Sequence, residues 1–341
     1  MLADLQHGPH IAADSVVLKA VLLVQPVKRN NMNAKQKTQQ IKLGTLASGF
    51  DLTIPILIAE GITPNPIVGI SAAVHGDEIV GVQILRELWS LLAREQIQGS
   101  VWLMPVVNPL AFEYLTRNTP LDMLDINRTF PGNASGWISE QMAHAISEQY
   151  LSRLDYYIDI HAGGTFPLVD YCFLLNNGDF ARAFHSKLLY TPAQPYQGTT
   201  ASVTLKRNVP TVVIEIGGGY EQQEEQVKRG VSKICNMLRY AGVLGGAVEA
   251  PPSQTLLREI SIMRPKNGGL CYPVRPFPPG EHLMGRVKLA EVVSPYSFES
   301  LETMETPFEK NVVVLSRNYV TRVNPGDYTF MIGNLATAET L

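Results

Sequence analysis

Short β-branched runs alternate with longer amphipathic stretches between about residues 66 and 240, and this alternation constrains the fold more than any other feature of the sequence. The runs are "PIVGISAAV" (66–74), "SVWLMPVV" (100–107), "LDYYIDI" (154–160) and "PTVVIEI" (210–216). Stretches with helical spacing follow the first and fourth runs and precede the third. In the stretch before the third run, "SEQMAHAISEQYLSR", Ser139 is a candidate helix cap. Strands that alternate with helices are typical of an α/β domain, so the sequence predicts a sheet covered by helices.

The pattern changes beyond the glycines and prolines of "GVLGGAVEAPPSQ". The later runs are short, β-prone and separated by Gly and Pro, as in "LREISIM", "RVKLAEVV", "NVVVLS" and "DYTFMI", which predicts a small all-β region. At the other end, the polar stretch "KRNNMNAKQKTQQ" is typical of a linker or a solvated arm. We therefore predict an N-terminal arm or linker (1–40), a main α/β domain (41–250) and a C-terminal β domain (251–341).

Charge and composition indicate a small-molecule partner. The formal net charge of −3 and the pI of about 6.2 give no basic field for nucleic acid or for an anionic membrane surface. The apolar run at 16–27 is interrupted by Lys19 and is shorter than the roughly 20 residues that a membrane-spanning helix needs. No basic segment precedes it, so it is also a poor signal peptide. The sequence leaves open whether residues 1–31 belong to the native protein and whether the chain forms a homo-oligomer.

The three cysteines indicate the compartment. Cys172, Cys235 and Cys271 are far apart, odd in number and outside any CxxC spacing, so they indicate neither a disulfide framework nor a thiolate metal site. We expect a cytoplasmic protein.

Four chemically suited side chains stand at the ends of predicted strands. His75 and Glu78 in "VHGDE" follow the first run, His161 in "DIHAGG" follows the third, and Glu215 in "VIEIGGG" lies near the end of the fourth. Open α/β sheets bind ligands outside the carboxyl ends of their strands, so the four are expected to meet. Two imidazoles and one carboxylate are the ligand set of many catalytic zinc sites. A lone histidine is more often structural, but the joint placement predicts one zinc ion per chain.

Asp159 precedes His161 by two residues and points to the same side of the strand. Two interpretations stay equally open. The carboxylate orients the imidazole, or it is a buried acid satisfied by the backbone.

The segment at 108–132 contains two arginines suited to a carboxylate or a carbonyl group, Arg117 and Arg128. Any single arginine is more often part of a surface salt bridge. Asn127 beside Arg128 favours a ligand role for that pair.

In order along the chain, "HGDE", "NP" followed by "RNTPLDMLDINRTFPG", "DIHAGG" and "VIEIGGG" resemble the succinylglutamate desuccinylase and aspartoacylase family, relatives of the zinc carboxypeptidases. The resemblance extends from about residue 45 to about residue 335. It implies a mixed central sheet flanked by helices. It also implies a smaller C-terminal β domain that shields the mouth of the active site and helps to select the substrate.

The resemblance also implies roles for individual residues. The HxxE pair and the later histidine of the family bind zinc, which corresponds to His75, Glu78 and His161 in this chain. The glutamate of the late strand, Glu215 in this chain, activates water and then protonates the leaving amine.

The family's Asn-Arg pair holds a substrate carboxylate, which assigns that role to Asn127 and Arg128. An upstream arginine polarises the scissile carbonyl, and Arg117 matches it by its neighbours. Met123 and Leu124 stand where members often have Asp-Gly, a difference in the loop that carries both arginines.

The function that the sequence predicts is zinc-dependent hydrolysis of the amide bond of an N-acyl amino acid or a similar small carboxylate-bearing amide. A zinc carboxypeptidase acting on short peptides is the enzymatic alternative, and a catalytically silent metal-containing binding protein is the non-enzymatic one. A nucleotide-binding protein is disfavoured, because "IGGGY" follows a strand without a GxGxxG or GxxxxGK[ST] fingerprint.

Overall fold

The computed structural model describes residues 33–194, 196–219 and 223–341. The apolar run at 16–27 and most of the predicted N-terminal arm lie outside these ranges. Within them, every helix is too short or too polar to cross a lipid bilayer.

The described residues form a mixed α/β fold. The strands are β1 Lys35–Thr45, β2 Asp51–Glu60, β3 Ile67–Ala72, β4 Ser100–Met104, β5 Tyr156–His161, β6 Pro167–Phe173, β7 Leu188–Tyr190, β8 Thr211–Gly217, β9 Thr255–Leu257, β10 Ile260–Met263, β11 Gly269–Pro273, β12 His282–Met284, β13 Lys288–Val293, β14 Ser300–Glu305, β15 Lys310–Arg317, β16 Thr321–Val323, β17 Phe330–Asn334 and β18 Glu339–Thr340. The α-helices are α1 Ile79–Leu92, α2 Pro109–Tyr114, α3 Ile138–Gln149, α4 Gly178–Arg182, α5 Thr200–Lys206 and α6 Gln223–Tyr240, and two 3-10 helices span Ile126–Arg128 and Leu151–Arg153.

The large sheet has the strand order β1-β2-β4-β3-β5-β8-β6-β15-β17-β10. Its centre is parallel, since β3 pairs in parallel with β4 and β5, and β5 with β8. The flanking strands are antiparallel, including β6 against β8 and β15 against β6. All four strands that the sequence predicts in this region are present. The parallel strands end at one edge, which is where an α/β sheet places its ligand site.

Helices cover both faces of the parallel strands. The apolar residues of α1 and α6 pack with one face of β3, β5 and β8. On the other face, α3 packs with β2 and with Tyr157 of β5, and α5 lies against β5 and β8. These strands are buried on both sides and therefore have continuous apolar runs. The predicted fold class, a mixed sheet flanked by helices with a smaller β sheet beside it, is confirmed.

The C-terminal strands are joined to the large sheet by backbone hydrogen bonds. Three of them, β15, β17 and β10, extend the sheet beyond β6, while β14-β13-β11-β16 form a second, antiparallel sheet. A separate apolar cluster, which includes Phe277, Leu289, Val313 and Phe330, lies between these strands. The proposed division into domains at about residue 250 stays a prediction, and β15 crosses that division to pair with β6.

Two local features differ from what the sequence predicts. The polar stretch assigned to the N-terminal arm includes the first residues of β1, because this strand lies at the edge of the sheet, where most of its side chains are exposed. Ser139 is a candidate helix cap by its residue type, but the N-cap of α3 is Trp137. The Ser139 hydroxyl instead donates to Thr119 Oγ1 at 2.7 Å.

Candidate active site

His75, Glu78 and His161 lie at the carboxyl ends of two neighbouring parallel strands. β3 ends at Ala72, His75 lies in the loop that follows, and Glu78 occupies the N-cap position of α1. His161 is the last residue of β5, which pairs with β3. The fold therefore delivers all three side chains to one point.

The three side chains are buried and close enough to share one ion. Glu78 Oε1 lies 2.7 Å from His75 Nδ1, and Glu78 Oε2 lies 2.9 Å from His161 Nδ1. The two imidazole centroids are 5.0 Å apart, and one ligand atom from each residue lies within 4.8 Å of the others. The three predicted ligands therefore form a group that can hold a metal ion.

Each imidazole has a carboxylate at its other nitrogen. His75 Nε2 lies 3.3 Å from Asp125 Oδ1, and His161 Nε2 lies 3.1 Å from Asp159 Oδ2. A histidine that offers Nδ1 to a metal carries its hydrogen on Nε2, and a carboxylate acceptor there fixes both the tautomer and the ring orientation. Both histidines have this arrangement.

Asp159 is held by hydroxyl groups from two other elements. Ser71 Oγ on β3 donates to its Oδ1 at 2.7 Å, and Thr200 Oγ1 on α5 donates to its Oδ2 at 2.5 Å. Its partners are therefore side chains, which agrees with the interpretation that Asp159 orients His161.

The charges of the group depend on one another. Burial alone would raise the pKa of Glu78, but His75 and His161 lower it well below its usual range. Burial alone would lower the pKa of His161, but Asp159 and Glu78 raise it well above its usual value. In the metal-free protein the site therefore favours ionised carboxylates and a protonated His161, and a cation can replace that proton.

Glu215 lies beside His161, because the two residues are direct partners in the β5–β8 pairing. It is half-buried in the wall of the cavity. Burial raises the pKa of Glu215 to about 7, Glu78 adds to this effect, and the two histidines oppose it. A carboxyl group with this pKa can accept and release a proton near neutral pH.

The glycines after Glu215 serve the close packing of the chain itself. Gly217 and Gly218 have φ values of +82° and +106°, which are accessible to glycine at little cost. A side chain at Gly218 would collide with the carbonyl oxygen of Pro167.

Arg117 reaches the site through Asp125. Its Nη2 donates to Asp125 Oδ2 at 2.9 Å, and its Nη1 lies 3.4 Å from His75 Nδ1. Half of the Arg117 side chain is exposed. Asp125 therefore holds both the imidazole of His75 and this guanidinium group.

Asn127 and Arg128 are close to the site but differ in burial. Asn127 is buried, and its Oδ1 accepts a hydrogen bond from the backbone N–H of Thr200 at 3.1 Å. Arg128 is exposed and donates from Nη1 to the carbonyl oxygen of Asn127 at 2.7 Å.

A single cavity of about 340 Å³ connects these groups, which is within the usual range for small-molecule sites. All seven residues singled out in the sequence as ligands, catalytic groups or substrate contacts line it: His75, Glu78, Arg117, Asn127, Arg128, His161 and Glu215.

Sequence reasoning missed three residues at the site. Asp125 has a weak local signal, since it accepts from the backbone N–H of Asn127 and so caps a short turn. Tyr171 and Arg317 have none, because only the pairing of β6 with β8 and β15 brings them to the cavity.

Comparison with known proteins places the chain in a family. Residues 64–241, just over half of the chain, match the succinylglutamate desuccinylase/aspartoacylase catalytic domain. The chain belongs to the succinylglutamate desuccinylase/aspartoacylase family. The resemblance inferred from the motifs is thereby confirmed.

One relative of known activity is N-alpha-acetyl-L-2,4-diaminobutyric acid deacetylase of Halomonas elongata. It is 27% identical over 191 residues, which cover 52% of this chain and 55% of that protein. The match therefore spans about half the length of this relative. The family is thus named for deacylases, and this relative is named as a deacetylase.

Solved structures share the fold over most of their length. A succinylglutamate desuccinylase/aspartoacylase from Rhodobacter sphaeroides has a TM-score of 0.75 and 24% identity, with 89% of this chain and 97% of that chain covered. The product-bound ectoine utilization protein EutE (DoeB) from Ruegeria pomeroyi has a TM-score of 0.77 and 20% identity, with 88% and 95% covered. At these identities the likeness establishes the fold alone.

Proposed function

We propose that the chain is a zinc-dependent deacylase that cleaves the amide bond of an N-acyl amino acid or a similar small carboxylate-bearing amide. The observation that carries this proposal is the convergence of His75 Nδ1, His161 Nδ1 and the Glu78 carboxylate, with Glu215 beside them. Two imidazoles and one carboxylate fit zinc and leave a coordination position for water. The carboxylate acceptors at both Nε2 atoms support the same assignment.

A bound zinc ion would supply Lewis acidity and lower the pKa of water from about 15.7 to about 7. Glu215 takes a proton from the attacking water and later delivers it to the nitrogen of the leaving amine. Burial raises the pKa of Glu215, while a cation beside it favours the ionised form, so the two effects oppose each other and keep both protonation states accessible. The guanidinium group of Arg117 stabilises the negative charge that develops on the carbonyl oxygen.

In this proposal, Asn127 and Arg128 hold the carboxylate of the substrate. Arg128 is exposed at the cavity, and within the described part of the chain its Nη1 donates to the carbonyl oxygen of Asn127 and to no carboxylate, so its guanidinium group can turn toward an anion. A guanidinium group binds a carboxylate through paired hydrogen bonds.

We further propose that residues 41–250 carry the catalytic groups and that residues 251–341 complete the cavity wall. The family match at 64–241 falls within the first part, while Arg317 and Met331 line the cavity from the second. We also propose a cytoplasmic location. The three cysteines support it, because they are buried as free thiols and a reducing compartment preserves them.

The first experiment measures zinc by elemental analysis in the wild-type protein and in two variants. We expect about one zinc ion per chain in the wild type and in His144→Ala, since His144 lies on α3 outside the cavity lining. His161→Ala should lose most of its zinc, because two protein ligands bind zinc far more weakly than three. A wild-type protein without zinc, even after reconstitution, would contradict the proposal.

The second experiment measures amine release from a panel of N-acetyl and N-succinyl amino acids and unmodified dipeptides. We expect hydrolysis of at least one N-acyl amino acid, with rates that fall together with zinc content in His161→Ala. Cleavage of dipeptides alone would identify a peptidase. Zinc binding without any hydrolysis would identify a metal-containing binding protein.

A further inference from the structure

A row of four apolar side chains crosses the sheet away from the metal-binding group. Val169 on β6 is the direct partner of Gly217 on β8 and of Leu315 on β15. Leu315 is the partner of Met331 on β17, and Met331 is the partner of Ile262 on β10. All four apolar residues line the cavity. We call Val169, Leu315, Met331 and Ile262 the apolar row.

The apolar row begins next to the reacting groups and ends in solvent. Its first residue is opposite Gly217, two residues beyond Glu215 on β8. Neighbouring strands are about 4.8 Å apart, so the row extends over roughly 14 Å. Val169 and Leu315 are buried, whereas Ile262 is 38% exposed. The floor of the cavity is therefore a groove that is open at its outer end.

The charged groups of the cavity are concentrated at the metal-binding end, with one exception along the groove. Arg317 lies two residues beyond Leu315 on β15, is nine-tenths buried and lines the cavity. Its Nε donates to the carbonyl oxygen of Tyr328 at 2.7 Å, and its Nη1 donates to Thr321 Oγ1 at 3.3 Å. Among the described residues, no carboxylate forms an ion pair with it. The groove could thus favour either an apolar group or one that ends in a carboxylate.

The extent of the apolar surface decides between these two. Four consecutive strands each contribute an apolar side chain to the row, and an acidic group that reached Arg317 would cover only part of it. The apolar lining of the cavity extends beyond the row, since Phe173, Leu175, Leu205 and Val213 also line it. A ligand with an apolar group gains about 0.8 kcal/mol for each methylene group that it buries against such a lining.

We propose that the amide cleaved by this protein carries a large apolar group, and that the apolar row binds this group. The proposal rests on the function proposed above and specifies its substrate class. The apolar group is either the acyl chain or the side chain of the amine product. Each additional methylene group that enters the groove should raise kcat/KM by about fourfold until the groove is filled.

Two substrate series test the proposal on the zinc-loaded enzyme. In the first, the acyl group on glycine is acetyl, butanoyl, hexanoyl or octanoyl. In the second, the acyl group is acetyl and the amino acid is glycine, leucine or phenylalanine. A rise of at least tenfold in kcat/KM along one series supports the proposal and identifies which side of the amide lies in the groove. Flat profiles in both series, with acetyl substrates cleaved, overturn it and leave the proposed deacylase function standing. No cleavage in either series overturns the proposal, while the deacylase function then depends on the wider panel of N-acetyl and N-succinyl amino acids.

A charged substrate of matched shape tests the role of Arg317. N-succinyl-glycine and N-(4-methylpentanoyl)-glycine differ mainly in that a carboxylate of the first is replaced by an isopropyl group. Preference for the 4-methylpentanoyl compound supports an apolar groove. A preference of more than tenfold for the succinyl compound overturns the proposal and assigns Arg317 to a substrate carboxylate.

A pair of variants on β10 tests the row itself. Ile262→Asp places a charge at the exposed end of the groove, while Ser261→Asp places the same charge on the opposite face of the strand. Only a ligand long enough to reach the outer end of the row senses this charge, so the probe is dodecanoyl-glycine, or N-acetyl-2-aminododecanoic acid if the second series responds. We expect Ile262→Asp to lower the kcat/KM of this probe relative to N-acetyl-glycine at least tenfold. Ser261→Asp should leave that ratio unchanged. Because the ratio is measured within one preparation, partial misfolding does not alter it. An unchanged ratio in Ile262→Asp overturns the proposal.

Discussion

The two histidines of the site reach the same point from differently supported parts of the molecule. His161 and its carboxylate partner Asp159 lie on one buried strand, and hydroxyl groups from Ser71 and Thr200 hold that carboxylate. His75 lies in a loop, and its carboxylate partner comes from a second loop fifty residues later in the chain. We call His161 with Asp159 the strand-borne half of the site and His75 with Asp125 the loop-borne half. The sheet fixes the strand-borne half, whereas the loop-borne half depends on a few side-chain contacts.

The difference shows how the site divides its tasks. Asp125 of the loop-borne half also holds Arg117, whose side chain is half exposed and faces the substrate space. The strand-borne half has no comparable exposed cation, and Asp159 is fully buried. In the proposed function, one half therefore fixes the metal ion, and the other connects the metal ion to Arg117, the proposed contact of the substrate carbonyl.

The largest expected effect concerns Glu215, which is attached to the strand-borne half as the partner of His161 in the sheet. Glu215→Gln removes the proton-transferring group, so kcat should fall by about 10²- to 10⁴-fold. Zinc content should stay at the wild-type value, since Glu215 is not among the three ligands. Glu224→Gln, an exposed position on α6, is the matched control. Retained turnover in Glu215→Gln would contradict its role, and lost zinc would make it part of the metal site.

The next largest effect distinguishes Asp159 from Asp125, the carboxylate partners of the two histidines. Asp159→Asn should weaken zinc binding by up to about 100-fold, because the buried amide cannot accept all the hydrogen bonds that the carboxylate accepts. Asp125→Asn should weaken it by about tenfold or less, since the side chain is 15% exposed and water can take over part of its role. Competition with a chelator of known affinity measures both. Equal losses would contradict the division between the two halves.

The smallest expected effect is a difference in the number of protons that are released when zinc binds. Burial opposes protonation of both histidines, but the surrounding carboxylates raise both pKa values, and that of His161 rises well above its usual value. Zinc binds the deprotonated imidazole, so its affinity should fall as the pH falls below that pKa, by about tenfold per pH unit for each proton displaced. Asp159→Asn should lower the pKa of His161 and reduce proton release at pH 7, while Asp125→Asn should change it less. Calorimetry in buffers of different ionisation enthalpy gives the number of protons, and identical numbers in both variants would contradict the expected difference.

Local spacing explains what could be predicted from the sequence. His75 and Glu78 are three residues apart at a strand-to-helix junction, and Asp159 and His161 are two residues apart on one strand, so both pairs follow from the geometry of a helix or a strand. The parallel strands could also be predicted from local sequence, because each one is a continuous apolar run.

Long-range pairing explains what could not be predicted. The contact between His75 and Asp125 joins two loops, and Tyr171 faces Glu215 only because β6 runs antiparallel to β8. The apolar row combines residues from 169 to 331 that share no motif. Periodicity reports which side of a strand is buried, but it does not report which strands are neighbours.

The pairing of β15 with β6 bears on how the cavity can change shape. The side of the cavity formed by β6, β8, β15, β17 and β10 belongs to one hydrogen-bonded sheet, so a hinge that swung the C-terminal strands away would break a row of backbone hydrogen bonds, each worth about 0.5–1.5 kcal/mol. We therefore expect this side of the cavity to keep its shape when a ligand binds. In the proposed function, side chains on β15, β17 and β10 can then be replaced to suit a different substrate without moving the metal-binding group, which lies at the other end of the cavity.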